Sequence, residues 1–302
     1  AIAAAARCPM TTWGFIPARE HSTRFPHKNS APFLGEPLVV RAVRVAEKAQ
    51  RLGLLDRIVV LTDRWGEVER ALRDAGVRSG DRLLVARRPA WLADDRQARV
   101  IDLLRHCLSN LPDPAEGLLA PSERWPVPDA VCVLLPTSPI RQVRHVVESY
   151  RLLAPGVDVV LSVTPFRQDV NGACEFQANG VLAPLNFIWP GGAWKHDGTA
   201  AWLGAEYALS DAAKRDGFYG GRLVGYPVPP EESADVDMPL DLEYAEWLFS
   251  RKHPCPGCAD FREAHRAPCR RADEYRPTPL PHGTAVDVTR ELPQGTRFLE
   301  EK

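Results

Sequence analysis

The stretch Arg57–Gly76, RIVVLTDRWGEVERALRDAG, decides the fold class. Ile58, Val59, Val60 and Leu61 form an unbroken apolar run, which reads as a strand buried on both faces over Arg57–Thr62. Gly66–Ala75 reads as a helix stopped by Gly76, because glycine takes the left-handed backbone that ends a helix without steric cost. A buried strand followed at once by a helix is half of a parallel βα unit. The same alternation extends in both directions. Upstream, Trp13–Ala18 reads as a buried strand. Pro37–Leu52 reads as a helix, with Leu38, Ala42, Val45, Ala46 and Ala49 on one face and a proline near its start. Downstream come a strand over Arg82–Ala86, a helix over Asp94–Leu108 and a proline-rich surface loop over 111–128. A strand over Ala130–Leu135, a helix over Val143–Leu153 and a strand over Val157–Val163 follow. Alternation from 13 to 163 predicts an α/β fold: a doubly wound, mostly parallel sheet with helices on both faces.

After Pro165 the rhythm breaks. Cys174–Gln177 and Val181–Pro184, separated by Asn179-Gly180, read as a hairpin. Thr199–Leu203 and Leu223–Val228 read as strands and Pro239–Ser250 as a helix. Residues 252–302 contain seven of the 28 prolines and little periodicity, and read as a Pro/Cys-rich C-terminal tail, partly disordered. The first methionine is Met10, so residues 1–10 read as a disordered or non-native N-terminus and 11–251 as the folded domain.

Hydrophobic residues make up 45% and charged residues 25%, enough to build a sizeable core. A net charge of −1 leaves no basic excess for general nucleic-acid binding. The longest apolar run, Ala130–Leu135, is far short of the roughly 18 residues a membrane helix needs. Seven scattered cysteines argue against a disulfide framework, so the expected compartment is a reducing cytoplasm.

In a doubly wound sheet, ligands bind beyond the carboxyl ends of the strands. The loop after the first strand carries Arg19, Arg24 and Lys28 within ten residues. Fixed cations at a strand end suit a polyphosphate whose leaving group gathers charge, although the same run also reads as a solvated basic loop. It has no Walker-type glycines. After the fourth strand, Leu135-Pro136-Thr137-Ser138-Pro139-Ile140-Arg141 offers hydroxyls to a substrate oxygen, with Ser138 as an expected helix N-cap. Near the end, Asp235 and Asp237 alternate in an extended segment, so both carboxylates should face one side. Paired hard oxygens there suit Mg²⁺, and Asp237 alternatively caps the helix after Met238-Pro239.

These three loops together resemble the acylneuraminate (CMP-sialic acid) cytidylyltransferase family. Ile16-Pro17-Ala18-Arg19 through Ser22, Arg24, Pro26, Lys28 and Asn29 resembles its opening signature. Leu134–Arg141 resembles its central motif, and Ser233–Leu242 resembles its closing Ser-x-Asp-x-Asp-x-Pro-x-Asp-Leu motif. Val60–Asp63, Arg88-Pro89-Ala90 and Asp197-Gly198-Thr199-Ala200 match in the same order, so the similarity covers about 11–250. The resemblance implies a Rossmann-like nucleotidyltransferase, a cytidylyltransferase domain over 11–251, with residues 165–200, including Trp189 and Trp194, as a dimerisation arm. It implies transfer of CMP from CTP to the anomeric hydroxyl of a 2-keto sugar acid, with pyrophosphate released.

Under that resemblance Arg19 and Lys28 hold the triphosphate, and Ala18, Ser22, Arg24 and Asn29 shape their loop. Asp235 and Asp237 bind Mg²⁺, with Asp237 also assisting deprotonation of the hydroxyl. Arg88 lies near the cytosine, Thr137, Ser138 and Asp197 lie near the substrate, and Asp63 either joins the site or caps the following helix. The expected partners are CTP, a sugar acid and a second copy of the chain, with no nucleic acid or membrane.

The chain departs from the family where Glu20 and His21 replace two glycines, where Leu135 replaces glutamine, and where Lys195 and Asp197 replace arginine and asparagine. The wording of Ser22–Lys28 also resembles ketodeoxyoctonate (KDO) cytidylyltransferases, which is the alternative reading. A non-catalytic nucleotide-binding module is another alternative, and a metal-dependent glycosyltransferase lacks the mid-sheet acidic pair it would need. In the tail, Cys255, Cys258, His265 and Cys269 have the ligand types of a zinc site, without a paired second half.

Overall fold

The computed structural model describes residues 10–20, 22, 24–89, 91–92, 98–110, 125–166, 174–176, 182–184 and 193–252. The strands are β1 (Thr12–Ala18), β2 (Pro32–Phe33), β3 (Glu36–Pro37), β4 (Arg57–Thr62), β5 (Leu83–Arg87) and β6 (Ala130–Val133). They continue as β7 (Val159–Pro165), β8 (Cys174–Phe176), β9 (Leu182–Pro184), β10 (Trp194–Gly204) and β11 (Leu223–Pro227). The α-helices are α1 (Leu38–Arg51), α2 (Trp65–Asp74), α3 (Val100–Asn110), α4 (Val143–Tyr150), α5 (Ala205–Leu209), α6 (Asp211–Asp216) and α7 (Pro239–Lys252).

The main sheet has the order β11-β7-β10-β6-β1-β4-β5. Every pair is parallel except those made by β10, which runs antiparallel between β6 and β7. Side-chain alternation divides the core between the two faces of this sheet. Ile58 and Val60 of β4 join Val39, Val43 and Ala46 of α1, Val68 and Leu72 of α2 and Val146 of α4. Val59 and Leu61 face the other way and join Leu104, Cys107 and Leu108 of α3, with Tyr207 and Ala208 of α5. That two-sided burial is why β4 reads as a continuous apolar run. Phe33, Leu38, Ile140, Val236, Ala245, Leu248 and Phe249 form a smaller third cluster, which docks α7 against the start of α1.

The parallel βα reading holds for 13–163, and β4 falls on the expected residues. Gly76, just after α2, has φ +78°, as a helix-ending glycine should. Three expectations need correcting. The strand expected over Thr199–Leu203 is eleven residues long and inserts into the main sheet. Ser138 does not cap a helix, because α4 starts five residues later behind Gln142, whose N–H donates to His145 Nδ1 at 3.3 Å. α5 and α6 were not anticipated, being only five and six residues long. The hairpin of β8 and β9 is present, with Cys174 opposite Pro184.

Of the expected dimerisation arm over 165–200, Pro165 and 194–200 belong to the main sheet. Trp189 lies outside the described residues. So do His21, most of the tail and the proposed zinc ligands Cys255, Cys258, His265 and Cys269. Among the described residues no helix is long and apolar enough to cross a membrane.

Candidate active site

The loop after β1 folds back on itself before α1. The carbonyl of Glu20 accepts from the backbone N–H groups of Ser22 at 2.9 Å and His27 at 3.2 Å. Ser22 Oγ accepts from Phe25 N at 3.3 Å, and Asn29 Nδ2 donates to the carbonyl of Arg19 at 2.7 Å. The loop is thereby crossed twice from within, and Arg19, Arg24 and Lys28 all reach one cleft.

Glu20 departs from the glycine of the resembling family, yet it does not meet the cleft. Its side chain turns inward, is buried, and accepts from Ser30 Oγ at 2.9 Å. Its N–H donates to Asp63 Oδ1 at 2.8 Å, so Asp63 ties the end of β4 to this loop and leaves α2 without a side-chain cap. Burial pushes the Glu20 carboxyl above the usual range, opposed by the Ser30 hydrogen bond and aided by the Asp63 charge. A carboxyl turned inward and bonded to Ser30 removes the objection to an acid beside a phosphate site.

The carboxylate segment is pinned at its centre. Val236 is fully buried in the third core cluster, and its N–H donates to the carbonyl of Thr137 at 2.8 Å. Burying that side chain stabilises the arrangement by about 1.5–3 kcal/mol. Alternation then sends its neighbours Asp235 and Asp237 outward into the cleft. Asp241, in the first turn of α7, accepts from the N–H groups of Asp237 at 2.9 Å and Met238 at 2.7 Å. The expected cap at Asp237 is therefore corrected: Asp241 serves the helix start and leaves the Asp237 carboxylate to the cleft.

The two carboxylates have different surroundings. Partial burial works against the charged form of Asp237, but Lys28 at 3.0 Å and Arg24 at 3.1 Å outweigh it and hold its carboxyl below the ordinary range. Asp235 sits higher than an ordinary carboxyl. Partial desolvation at the cleft wall and repulsion from the Asp237 charge raise it, against a hydrogen bond from Thr137 and the charges of Lys28 and Lys195, while the side chain stays open to solvent.

The cleft has a volume of about 470 Å³, within the usual range for small-molecule sites. Arg19, Ser22, Arg24, Lys28, Asn29, Arg88, Thr137, Asp235 and Asp237 all line it, so loops from the two ends of the chain meet there. Arg88 is mostly buried and donates to the carbonyl of Leu92 through Nε at 2.9 Å and Nη2 at 2.5 Å, which holds it at the edge. The remaining wall is apolar, built from Ala98, Val100 and Leu103 near and in α3 and from Leu135. This wall was not legible in the sequence, because the same helix positions also face the core.

Three expected residues lie elsewhere. The Ala18 side chain packs into the core beneath the sheet. Ser138 is buried and donates from Oγ to the carbonyl of Asp197 at 3.4 Å. Asp197 is 2% exposed. Its Oδ1 accepts from Ser162 Oγ and from Thr199 N at 3.1 Å, and its Oδ2 accepts from Thr199 Oγ1 at 2.7 Å. Its carboxylate belongs to the sheet interior, beside the buried Arg141.

Arg141 donates to the carbonyls of Thr199, Leu135 at 2.6 Å and Gly198 at 2.9 Å. Burial lowers its pKa to about 10, with the Asp197 charge opposing, so it stays a cation at neutral pH. Gly198 makes this junction possible. Its φ is +76°, and a Cβ there would stand 2.8 Å from Ser138 Oγ.

A second cavity of about 350 Å³ adjoins the first and shares Asp235 with it. Thr164, Phe166, Lys195, Ser233 and Tyr244 are among its lining residues.

A mixed α/β sheet with a cationic loop after its first strand and a carboxylate pair facing it defines an α/β nucleotidyltransferase fold. Two solved structures share that fold. One is CMP:2-keto-3-deoxy-manno-octonic acid synthetase complexed with CTP, with a TM-score of 0.54 and 16% identity over 80% of this chain and 99% of that one. The other is 4-diphosphocytidyl-2C-methyl-D-erythritol synthase from Anaerococcus prevotii, with a TM-score of 0.51 and 9% identity over 80% and 100%.

Residues 13–112 match the family described as Cytidylyltransferase. Two curated relatives carry the name 3-deoxy-manno-octulosonate cytidylyltransferase. The one from Sodalis glossinidius is 39% identical over 93 residues, 31% of this chain and 34% of that protein. The one from Syntrophobacter fumaroxidans is 46% identical over 50 residues, 17% of this chain and 19% of that protein. The matched stretches thus span about a third and a fifth of these relatives' lengths.

Proposed function

We propose that this protein transfers CMP from CTP to the anomeric hydroxyl of a 2-keto sugar acid. The observation that carries this reading is the meeting of Arg19, Lys28, Asp235 and Asp237 in one cleft. In the reaction the sugar hydroxyl oxygen bonds to the α-phosphorus, the bond from that phosphorus to the bridging oxygen breaks, and pyrophosphate leaves. The hydroxyl proton passes to a base or to water. Arg19, Arg24 and Lys28 neutralise the triphosphate and the charge that builds on the leaving group. The apolar wall of Val100, Leu103 and Leu135 shields the opposite side of the nucleotide from water.

The donor set at Asp235 and Asp237 fits Mg²⁺: two hard oxygens on one side of an open cleft. Among the described residues no group of three or more metal-ligating side chains gathers, so phosphate oxygens and water would complete the shell, as is usual for this ion. When bound, Mg²⁺ would supply charge neutralisation between carboxylates and phosphates. Asp237 holds Lys28 and Arg24 in place in its absence.

The second cavity is the place for the sugar acid, since it opens beside Asp235 and presents the Lys195 ammonium to a substrate carboxylate. An eight-carbon 3-deoxy acid is the first choice of substrate, supported by the names of both curated relatives and by the Ser22–Lys28 wording. A nine-carbon sialic-type acid is the second, supported by the closing motif over Ser233–Leu242. A second copy of the chain, implied by the family resemblance, would complete the enzyme.

The test is pyrophosphate release with CTP and Mg²⁺ across a panel of eight- and nine-carbon 2-keto acids, with Asp237→Ala as control. Release with one acid, lost in the control, names the substrate. Silence across the panel from protein that binds CTP sinks this reading.

A further inference from the structure

The strand-like segment that carries Asp235 and Asp237 starts from a buried ionic cluster that touches neither cavity. Glu232 closes the 3-10 turn Pro230–Glu232 and is 7% exposed. Its Oε2 lies 2.9 Å from Nε2 of His145, whose side chain is fully buried, and it forms an ion pair with Arg144. The protonation of His145 follows from its other nitrogen. Nδ1 accepts from Gln142 N, so the neutral ring carries its proton on Nε2 and donates it to Glu232.

Helix α4 is in turn fixed to the sheet. Ser149 Oγ donates to the carbonyl of His145, and Trp202 Nε1 of β10 donates to Ser149 Oγ at 3.1 Å. The chain leaving Glu232 runs through Ser233 and Ala234 to Asp235, where it meets the Val236–Thr137 bond. Asp235 and Asp237 therefore hang between three fixed points: Glu232, Val236 and Asp241.

We propose that Glu232 is a positioning residue, which sets the height at which the carboxylate pair enters the cleft by anchoring its leading end to His145 and Arg144. This rests on the cytidylyltransferase reading above and extends it to a residue remote from the reacting atoms. A buried carboxylate with two partners is a costly device for stability alone, since an apolar replacement of the whole cluster is often neutral. Its value here is a fixed direction for the chain.

The test compares Glu232→Ala and Glu232→Gln. Glu232→Ala frees the leading end, and a displacement of about 1 Å at a reacting group lowers rates by about 100-fold. We expect kcat to fall about 10- to 100-fold, and Mn²⁺ to bind the protein–CTP complex about tenfold more weakly by paramagnetic resonance. CTP binding without metal should stay within about twofold. Glu232→Gln keeps an acceptor for His145 Nε2 and should recover most of both losses. The proposal is overturned if Glu232→Ala keeps its Mn²⁺ affinity, or if Glu232→Gln loses as much as Glu232→Ala. If Glu232→Ala does not fold, His145→Gln and Glu232→Gln carry the same comparison. The Mn²⁺ measurement needs no sugar acid, so it tests the anchor even if every acid in the panel fails.

Discussion

Lys28 Nζ lies 3.0 Å from Asp237 Oδ1, so the loop after the first strand and the segment before the last helix close on each other across 209 residues. Arg24 reaches the other oxygen of the same carboxylate at 3.1 Å. The two cations keep Asp237 ionised against its partial burial. Replacing Lys28 with methionine removes the nearer one. Two effects should follow together. Turnover should drop by about 100-fold or more, as for other lost charge stabilisers. The acid limb of the pH–rate profile should move up, because Asp237 then protonates at a higher pH. A pH–rate profile of Lys28→Met measures both, and an unmoved acid limb would separate Asp237 from that titration.

Asp197 gives the sharpest contrast between the sequence reading and the structure. Its oxygens accept from Ser162 and Thr199, and it balances the buried Arg141. Asp197→Ala takes a nearby negative charge from that guanidinium and leaves two hydroxyls without acceptors. Each buried donor left without its acceptor costs about 1–3 kcal/mol. The expected result is a fall in Tm of about 6 °C or more, with the KM for CTP in the surviving folded protein unchanged. A sugar-contacting role would instead raise the KM for the acid with little loss of Tm.

Glu20 should make stability depend on pH. Its carboxyl sits above the usual range because it is buried, and its Oε2 has no hydrogen-bond partner among the described residues. The folded state thus holds the proton more tightly than the unfolded chain does. Stability from this group is fully present below the unfolded value, near 4.5, and is lost as pH rises through the raised folded value. Glu20→Gln is neutral at every pH and keeps an oxygen for Ser30. Its Tm should equal that of the parent at pH 4 and exceed it by about 2–4 °C at pH 7. Equal melting at both pH values would show that Glu20 gains no such penalty.

The fold was legible where burial imposed a local pattern. β4 is apolar throughout because helices cover both its faces, and α1 shows its stripe because only one side meets the sheet. The first half of β10 escaped because after Trp194 it runs Lys195-His196-Asp197-Gly198, a polar run that reads as loop. Its place between β6 and β7 depends on partners far away in sequence. The cations and carboxylates of the cleft were legible from residue type and spacing. The direction each side chain faces was not. Asp197 and Asp235 look alike in sequence, yet one turns into the sheet and the other into the cleft. Arg141 was visible in its motif but carried no role, since nothing local marks an arginine as buried.

Asp235 and Asp237 should also be separable by experiment, because their neighbours push them apart. Asp237 occupies Lys28 and Arg24, whereas Asp235 faces repulsion from Asp237 and leans on Thr137. With metal removed by chelation, Asp237→Asn releases two cations toward the triphosphate and deletes a negative charge beside it. CTP should then bind about three- to tenfold more tightly to this variant than to the parent, and the gain should shrink as salt is raised. Asp235→Asn deletes a carboxylate that restrains neither cation directly, so its metal-free CTP affinity should change by less than about twofold. With Mg²⁺ restored, both variants should lose turnover by about 100-fold or more, since each removes one of the two protein oxygens offered to the ion. Calorimetric titration of CTP without metal measures the two affinities, and pyrophosphate release with Mg²⁺ measures the two losses of turnover. Metal-free tightening in Asp235→Asn but not in Asp237→Asn would reverse the assignment of the two carboxylates.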